Sequence, residues 1–137
     1  MKVFIDTGAF IAFFVKEEIT HQKVMEKYQQ YKQQRALFLT SNYILDELYT
    51  RLMYDFGKNI TQQKIRTLAQ SIEKEELKIL NVDEIIFEKA IEVFLRFAEH
   101  KISFTDATTS VLYKDYALDE IFTLDKDFKR MRLATSF

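Results

Sequence analysis

The sequence predicts an α/β fold: a three-layer α/β/α sandwich around a central, mostly parallel sheet of four to five strands. Three observations carry this expectation. Short β-prone apolar runs alternate with longer segments of helical periodicity along the whole chain, the pattern of repeated strand–helix–strand units. No linker, repeat or low-complexity tract interrupts the alternation, so residues 1–137 read as one domain. The 137 residues are 47% hydrophobic and 30% charged, enough apolar material for a buried core and too much for a disordered chain.

Taken in order, Val3, Phe4 and Ile5 form a buried first strand, and Asp6 and Thr7 leave it. Residues 8–15 are almost wholly apolar and form a short buried helix. Thr20 is the N-cap of a helix to about residue 33, with Val24, Met25, Tyr28 and Tyr31 at helical spacing. Residues 37–40 are the second strand. Ser41 and Asn42 then cap a strong helix to about Phe56, its apolar side carrying Ile44, Leu45, Leu48, Tyr49, Leu52 and Phe56, and Gly57 closes it. Thr61 starts the next helix, about 62–76, with Ile65, Leu68, Ala69 and Ile72 facing inward. Residues 78–80 are the third strand. Asp83 caps a long helix through Ile85, Ile86, Ala90, Val93, Phe94, Phe97 and Ala98. A helix over about 105–116 and a fourth strand at 120–123 follow, with 132–135 a candidate fifth strand.

Composition narrows the chemistry. Without cysteine there are neither disulfides nor thiolate ligands, and with only His21 and His100 a histidine-rich zinc site is not expected. A metal would be held by oxygen ligands, which favours Mg²⁺ or Mn²⁺. The formal charge of −1 and a pI of about 6.1 argue against nucleic-acid binding through net charge alone, yet they fit a cation-binding cluster of acids. The apolar run at 9–15 is too short to span a bilayer, and Asp6 interrupts any signal-peptide core, so a cytoplasmic protein with no membrane partner is expected.

Acidic residues recur at strand ends and helix starts: Asp6 after the first strand, Asp46 and Glu47 in the helix after the second, Asp106 at a helix start, and Asp125 and Asp127 after the fourth strand. Open α/β sheets gather such positions along one edge, where ligands bind. Each has a bland explanation. Asp6 can cap the next helix, Ser103 and Asp106 make a capping box, and Asp125 can cap a last turn. Periodicity does not choose between Asp46 and Glu47. Carboxylates placed together repel, and divalent cations remove that cost. A pair of such ions can activate water and stabilise both oxygens of a phosphodiester displacement.

These stretches resemble the four acidic motifs of PIN domains. They are Asp6-Thr7, Leu45-Asp46-Glu47-Leu48, Phe104-Thr105-Asp106-Ala107 and Thr123-Leu124-Asp125-Lys126-Asp127-Phe128. Their order and spacing are similar to VapC-type ribonuclease toxins of prokaryotes, over essentially the whole chain. The resemblance implies a PIN-like sandwich and a metal-dependent endoribonuclease. It implies Asp6, Glu47, Asp106 and Asp125 as ligands of one or two Mg²⁺ or Mn²⁺ ions, Glu47 being preferred to Asp46 because the family pattern is Glu-Leu. Thr7 and Thr123 match hydroxyl positions beside the family's site, and Asp127 supports or replaces Asp125. RNA substrate, a homodimer and a small antitoxin partner are further implications.

Arg51, one turn beyond Glu47, and the cluster Lys126, Lys129, Arg130 and Arg132 are candidate phosphate contacts. The alternatives to a toxin nuclease are a free-standing PIN-domain nuclease in RNA processing and a non-catalytic PIN-like RNA- or protein-binding module. A haloacid-dehalogenase-like phosphatase would need an acid at position 8, where this chain has Gly8. A receiver domain would need an acidic pair at the end of the first strand. No Ser/His/Asp or Cys/His set is present.

Overall fold

The computed structural model describes residues 1–137. The strands are β1 (Lys2–Ile5), β2 (Leu37–Ser41), β3 (Leu77–Leu80) and β4 (Glu120–Phe122). The helices are α1 (Thr7–Phe14), α2 (His21–Gln33), α3 (Asn42–Phe56), α4 (Lys58–Glu73), α5 (Glu84–Arg96), α6 (Phe104–Asp115) and a final turn α7 (Asp127–Arg130), with a 3₁₀ turn at Ala98–His100. The sheet is wholly parallel in the order β3-β2-β1-β4, with registers Val3↔Phe38 and Ile5↔Phe122. Strand order therefore reverses at β1, and the crevice between the ends of β1 and β4 is the switch point at which such sheets bind ligands.

Central strand β1 is buried along Val3, Phe4 and Ile5, as parallel strands covered on both faces must be. Ile44, Leu48 and Leu52 of α3, Val24 and Tyr31 of α2, and Leu112 of α6 complete a continuous core of 32 residues. Tyr31 donates to Glu120 Oε2 at 2.6 Å, so its buried hydroxyl is satisfied. No helix is long and apolar enough to cross a membrane.

Helix starts follow local chemistry. Ser41 accepts from the Ile44 amide at 3.1 Å and Asp83 from that of Ile86 at 2.9 Å. Asn42, expected to share the capping of α3, instead accepts from the Val82 amide at 2.8 Å and ties α3 to the end of β3. Helix ends are unusual for a chain with two glycines. Arg35, Glu75, Ala117 and Arg132 each take positive φ, between 51° and 62°, and the following amide bonds back to the carbonyl five residues earlier, as in Ala36 to Tyr31 and Glu76 to Ser71. These are Schellman closures made without glycine.

Several expectations need correcting. The helix expected from Thr61 begins at Lys58, because Gly57 at φ 83°, ψ −179° turns the chain within one residue and serves as the end of α3 and the start of α4. Thr61 lies inside that helix, its hydroxyl bonded to the Gly57 carbonyl at 2.8 Å. On α4, Leu68 is buried and Ile72 half-buried, but Ile65 and Ala69 are exposed, as are Ile85 and Phe94 on α5. The candidate fifth strand reduces to a single bridge, Ile121↔Thr135, since Leu133 closes onto Phe128 and leaves too little extended chain to pair.

Candidate active site

The register of β1 against β4 carries both chains out of the sheet side by side. The Asp6 amide donates to the Phe122 carbonyl at 3.0 Å, and the Thr123 hydroxyl donates to Asp6 Oδ2 at 2.8 Å. Asp6 sits at the N-cap position of α1 with no side-chain capping bond, so its carboxylate is turned to Thr123 instead. Thr123 Oγ1 also accepts from the Asp125 amide at 2.9 Å, and Asp125 Oδ1 accepts from the Asp127 amide at 2.8 Å. One hydroxyl thereby fixes both acidic strand ends.

Opposite them, α6 begins in a full capping box: the Asp106 amide donates to Ser103 Oγ at 3.0 Å and the Ser103 amide to Asp106 Oδ2 at 3.1 Å. The capping explanation of Asp106 is correct, and it does not remove the residue from the site. The box holds the carboxylate in place at the cleft while occupying Oδ2. Asp125 is not the cap of α7, whose N-cap position is Lys126 without a side-chain bond, but its bond to the Asp127 amide orders the turn that leads into that helix.

A cleft of about 490 Å³ joins these elements. Asp6, Glu47, Asp106, Asp125 and Asp127 line it with Thr7, Gly8, Arg51, Lys101, Ser103 and Leu124. The four acids expected as ligands therefore share one space, with Asp127 beside them. Asp46 is exposed and outside it, because one helical step rotates it about 100° from Glu47. Carboxylate oxygens of Asp106, Asp125 and Asp127 lie within 4.8 Å of one another. Both Asp125 and Asp127 thus stand at the site. A smaller apolar hollow of about 260 Å³, bounded by α1, α2 and α4, contains none of these acids.

Crowding shows in the ionisation. Burial, opposed by the Thr123 bond and aided by the nearby Asp106 charge, pushes the Asp6 carboxyl up to about 7. Burial, opposed by the Ser103 bonds and aided by the Asp125 charge, pushes Asp106 up to about 6. Without a counterion this cleft resists holding its full charge. With oxygen donors alone and no histidine or cysteine, the donor set fits a hard divalent cation.

Among the expected phosphate contacts, Arg51 lines the cleft, while Lys126, Lys129, Arg130 and Arg132 do not. The turn α7 carries Lys126, Lys129 and Arg130 on its exposed side, and Arg130 is paired with Asp127 at 3.2 Å. His21 lies away from the cleft, its Nδ1 2.7 Å from the Ala12 carbonyl. Lys101 is a cleft residue that the sequence reading missed. It follows the 3₁₀ turn Ala98–His100, five residues before Asp106, and no local pattern in the sequence marks it as a cleft residue.

Fold and site together define a parallel α/β protein with a carboxylate-rich cleft at the switch point of its sheet. A family model described as PIN domain matches residues 3–133, and the chain belongs to the PIN-domain family. Among solved structures it is similar to VapC20 of Mycobacterium tuberculosis, a Sarcin-Ricin loop cleaving toxin. The TM-score is 0.82 at 21% identity, over 96% of each chain. It is also similar to VapBC2 of Rickettsia felis, solved bound to a DNA fragment from their promoter, with TM-score 0.74 and 15% identity over 98% of this chain and 97% of that one. At such identities the likeness is one of fold. No curated protein matches in sequence.

Proposed function

We propose that this protein is a divalent-metal-dependent endoribonuclease of the VapC toxin type, acting as a single domain over residues 1–137. The observation that carries the reading is the convergence of Asp6, Glu47, Asp106 and Asp125, from four separate parts of the chain, on one cleft. Caps alone do not require that convergence. The similarity to VapC20, which cleaves the Sarcin-Ricin loop, supports RNA as substrate.

In this reading Asp6, Glu47, Asp106 and Asp125 hold Mg²⁺ or Mn²⁺, with Asp127 assisting. Such an ion, when bound, lowers the pKa of water and offsets charge on a reacting phosphate. Thr123 and Ser103 keep Asp6 and Asp106 aimed at the cleft. Arg51 and Lys101 draw the phosphate chain in; neither belongs to the ion pairs of the structure, Lys89–Asp115 and Arg130–Asp127. Hydrolysis adds water across the P–O3′ bond and leaves a 5′-phosphate and a 3′-hydroxyl.

The similarity to a VapBC pair supports a small antitoxin protein as partner. The exposed apolar residues Ile85, Phe87, Ile91, Phe94 and Leu95 along α5 support a homodimer. The test is cleavage of a mixed structured RNA pool by purified protein with Mg²⁺, with Mn²⁺ and with EDTA, beside Asp6→Asn. Metal-dependent cutting lost in Asp6→Asn is expected. A folded, inhibitor-free protein that fails to cut RNA with either Mg²⁺ or Mn²⁺ would overturn the reading.

A further inference from the structure

Gly8 is not required by the fold. It lies in the first turn of α1 with no positive φ, so its backbone does not need glycine. A Cβ built there meets no heavy atom within 4 Å, so close packing does not need it either. Glycine inside a helix costs roughly 1 kcal/mol relative to alanine. The space kept open in front of Gly8 belongs to the acidic cleft that Gly8 itself lines.

Around that space the chain leaves hydrogen-bonding groups without partners. The first intrahelical bond of α1 runs from the Phe10 amide to the Asp6 carbonyl, so the amides before it have no partner within the helix. The Gly8 and Ala9 amides have no acceptor in the protein. Thr7, 1% exposed, lines the same cleft, and its hydroxyl is the single buried side-chain polar atom without a hydrogen-bond partner. Free amides at the positive end of a helix, an unpaired hydroxyl and an absent side chain are the parts of an oxyanion seat.

We infer that the first turn of α1 is a phosphate seat, in which the Gly8 and Ala9 amides and the Thr7 hydroxyl hold a non-bridging oxygen of an RNA phosphate. The inference deepens the nuclease reading and rests on it for the identity of the ligand. Arg51 and Lys101 supply charge from the cleft walls, and the seat supplies direction. Gly8 is then a positioning residue whose missing side chain lets the phosphate reach the backbone.

The experiment follows the backbone amide signals of Gly8 and Ala9 by nitrogen-15 NMR while a 5′-phosphorylated tetraribonucleotide is added in the presence of Mg²⁺. Shifts caused by Mg²⁺ alone are recorded first and subtracted. Saturable further shifts of both amides are expected. Gly8→Ala should fold with equal or higher Tm, bind the oligonucleotide at least tenfold more weakly and cut RNA correspondingly more slowly. Thr7→Val should weaken binding, and Thr7→Ser should restore it. Binding that leaves both amides unmoved, or a Gly8→Ala protein that binds as the wild type does, overturns the seat. The amide readout does not depend on cleavage, so a protein that binds here without cutting RNA would sink the nuclease reading and leave the seat standing.

Discussion

The Thr123 hydroxyl donates to Asp6 Oδ2 at 2.8 Å across 117 positions of sequence. The parallel register Ile5↔Phe122 makes this bond, because it brings the next residue of each strand out at the same level. The bond favours the ionised form of a carboxylate that burial otherwise disfavours. Thr123→Val should therefore raise the Asp6 pKa further and move the acid limb of the pH–activity profile upward by about one unit, roughly tenfold in activity on that limb. Thr123→Ser should leave the limb in place. Rates measured across pH for the three proteins check this.

Stability should depend on pH in an unusual direction. The folded-state values of Asp6, about 7, and Asp106, about 6, both exceed the ordinary 3.8. For carboxyls raised in this way, stability is fully present below the unfolded value and is lost as pH rises through the folded one. The metal-free protein should melt at lower temperature near pH ~8 than near pH ~5, by an amount on the order of a few kcal/mol. Asp6→Asn should flatten most of that slope. Mg²⁺ or Mn²⁺ should raise the melting temperature more at the higher pH, since it binds the ionised carboxylates. Thermal melts at the two pH values, with and without metal, settle the sign.

Non-glycine residues that close helices in the left-handed region carry a removable cost. Glu75, at φ 60° and exposed, is the simplest to relieve. Glu75→Gly should stabilise the protein by ~1 kcal/mol, raising the melting temperature by a few degrees. Gly57→Ala should act oppositely, since φ 83° with ψ −179° is a conformation essentially restricted to glycine, at a cost of roughly 1–3 kcal/mol. Denaturant unfolding of both variants provides the comparison.

Charge on the cleft walls should act on substrate binding more than on chemistry. Arg51→Ala and Lys101→Ala should each raise KM several-fold with little change in kcat, and each should make the salt dependence of binding shallower by about one phosphate contact. Lys129→Ala, outside the cleft, should do neither. Steady-state kinetics at two salt concentrations separate the three.

How much could be read beforehand follows from how local each feature is. Strands and helices were legible because their periodicity and caps lie within short windows; Ser41, Asp83 and the Ser103–Asp106 box all form as the sequence indicates. The four acids were legible as a set because strand order carries strand ends to one edge. The start of α4 was misread because a single glycine conformation replaced a loop. Lys126, Lys129 and Arg130 lie outside the cleft, which nearness in sequence to Asp125 could not show, because it says nothing about the side of the final turn they occupy. Lys101 and the open space at Gly8 depend on which elements meet across the cleft, and no local window contains that information.

The most direct test uses two adjacent acids on α3. Glu47 lines the cleft and Asp46 is exposed outside it, so the helix itself supplies the control. RNA cleavage with Mg²⁺ or Mn²⁺ should fall by roughly two to three orders of magnitude in Glu47→Gln, comparable to losing a group that acts only on the transition state. Asp46→Asn should cut at the wild-type rate, and both variants should melt as the wild type does or higher. Equal activity of Glu47→Gln and wild type, or loss of activity in Asp46→Asn alone, would contradict the assignment of this cleft as the catalytic site.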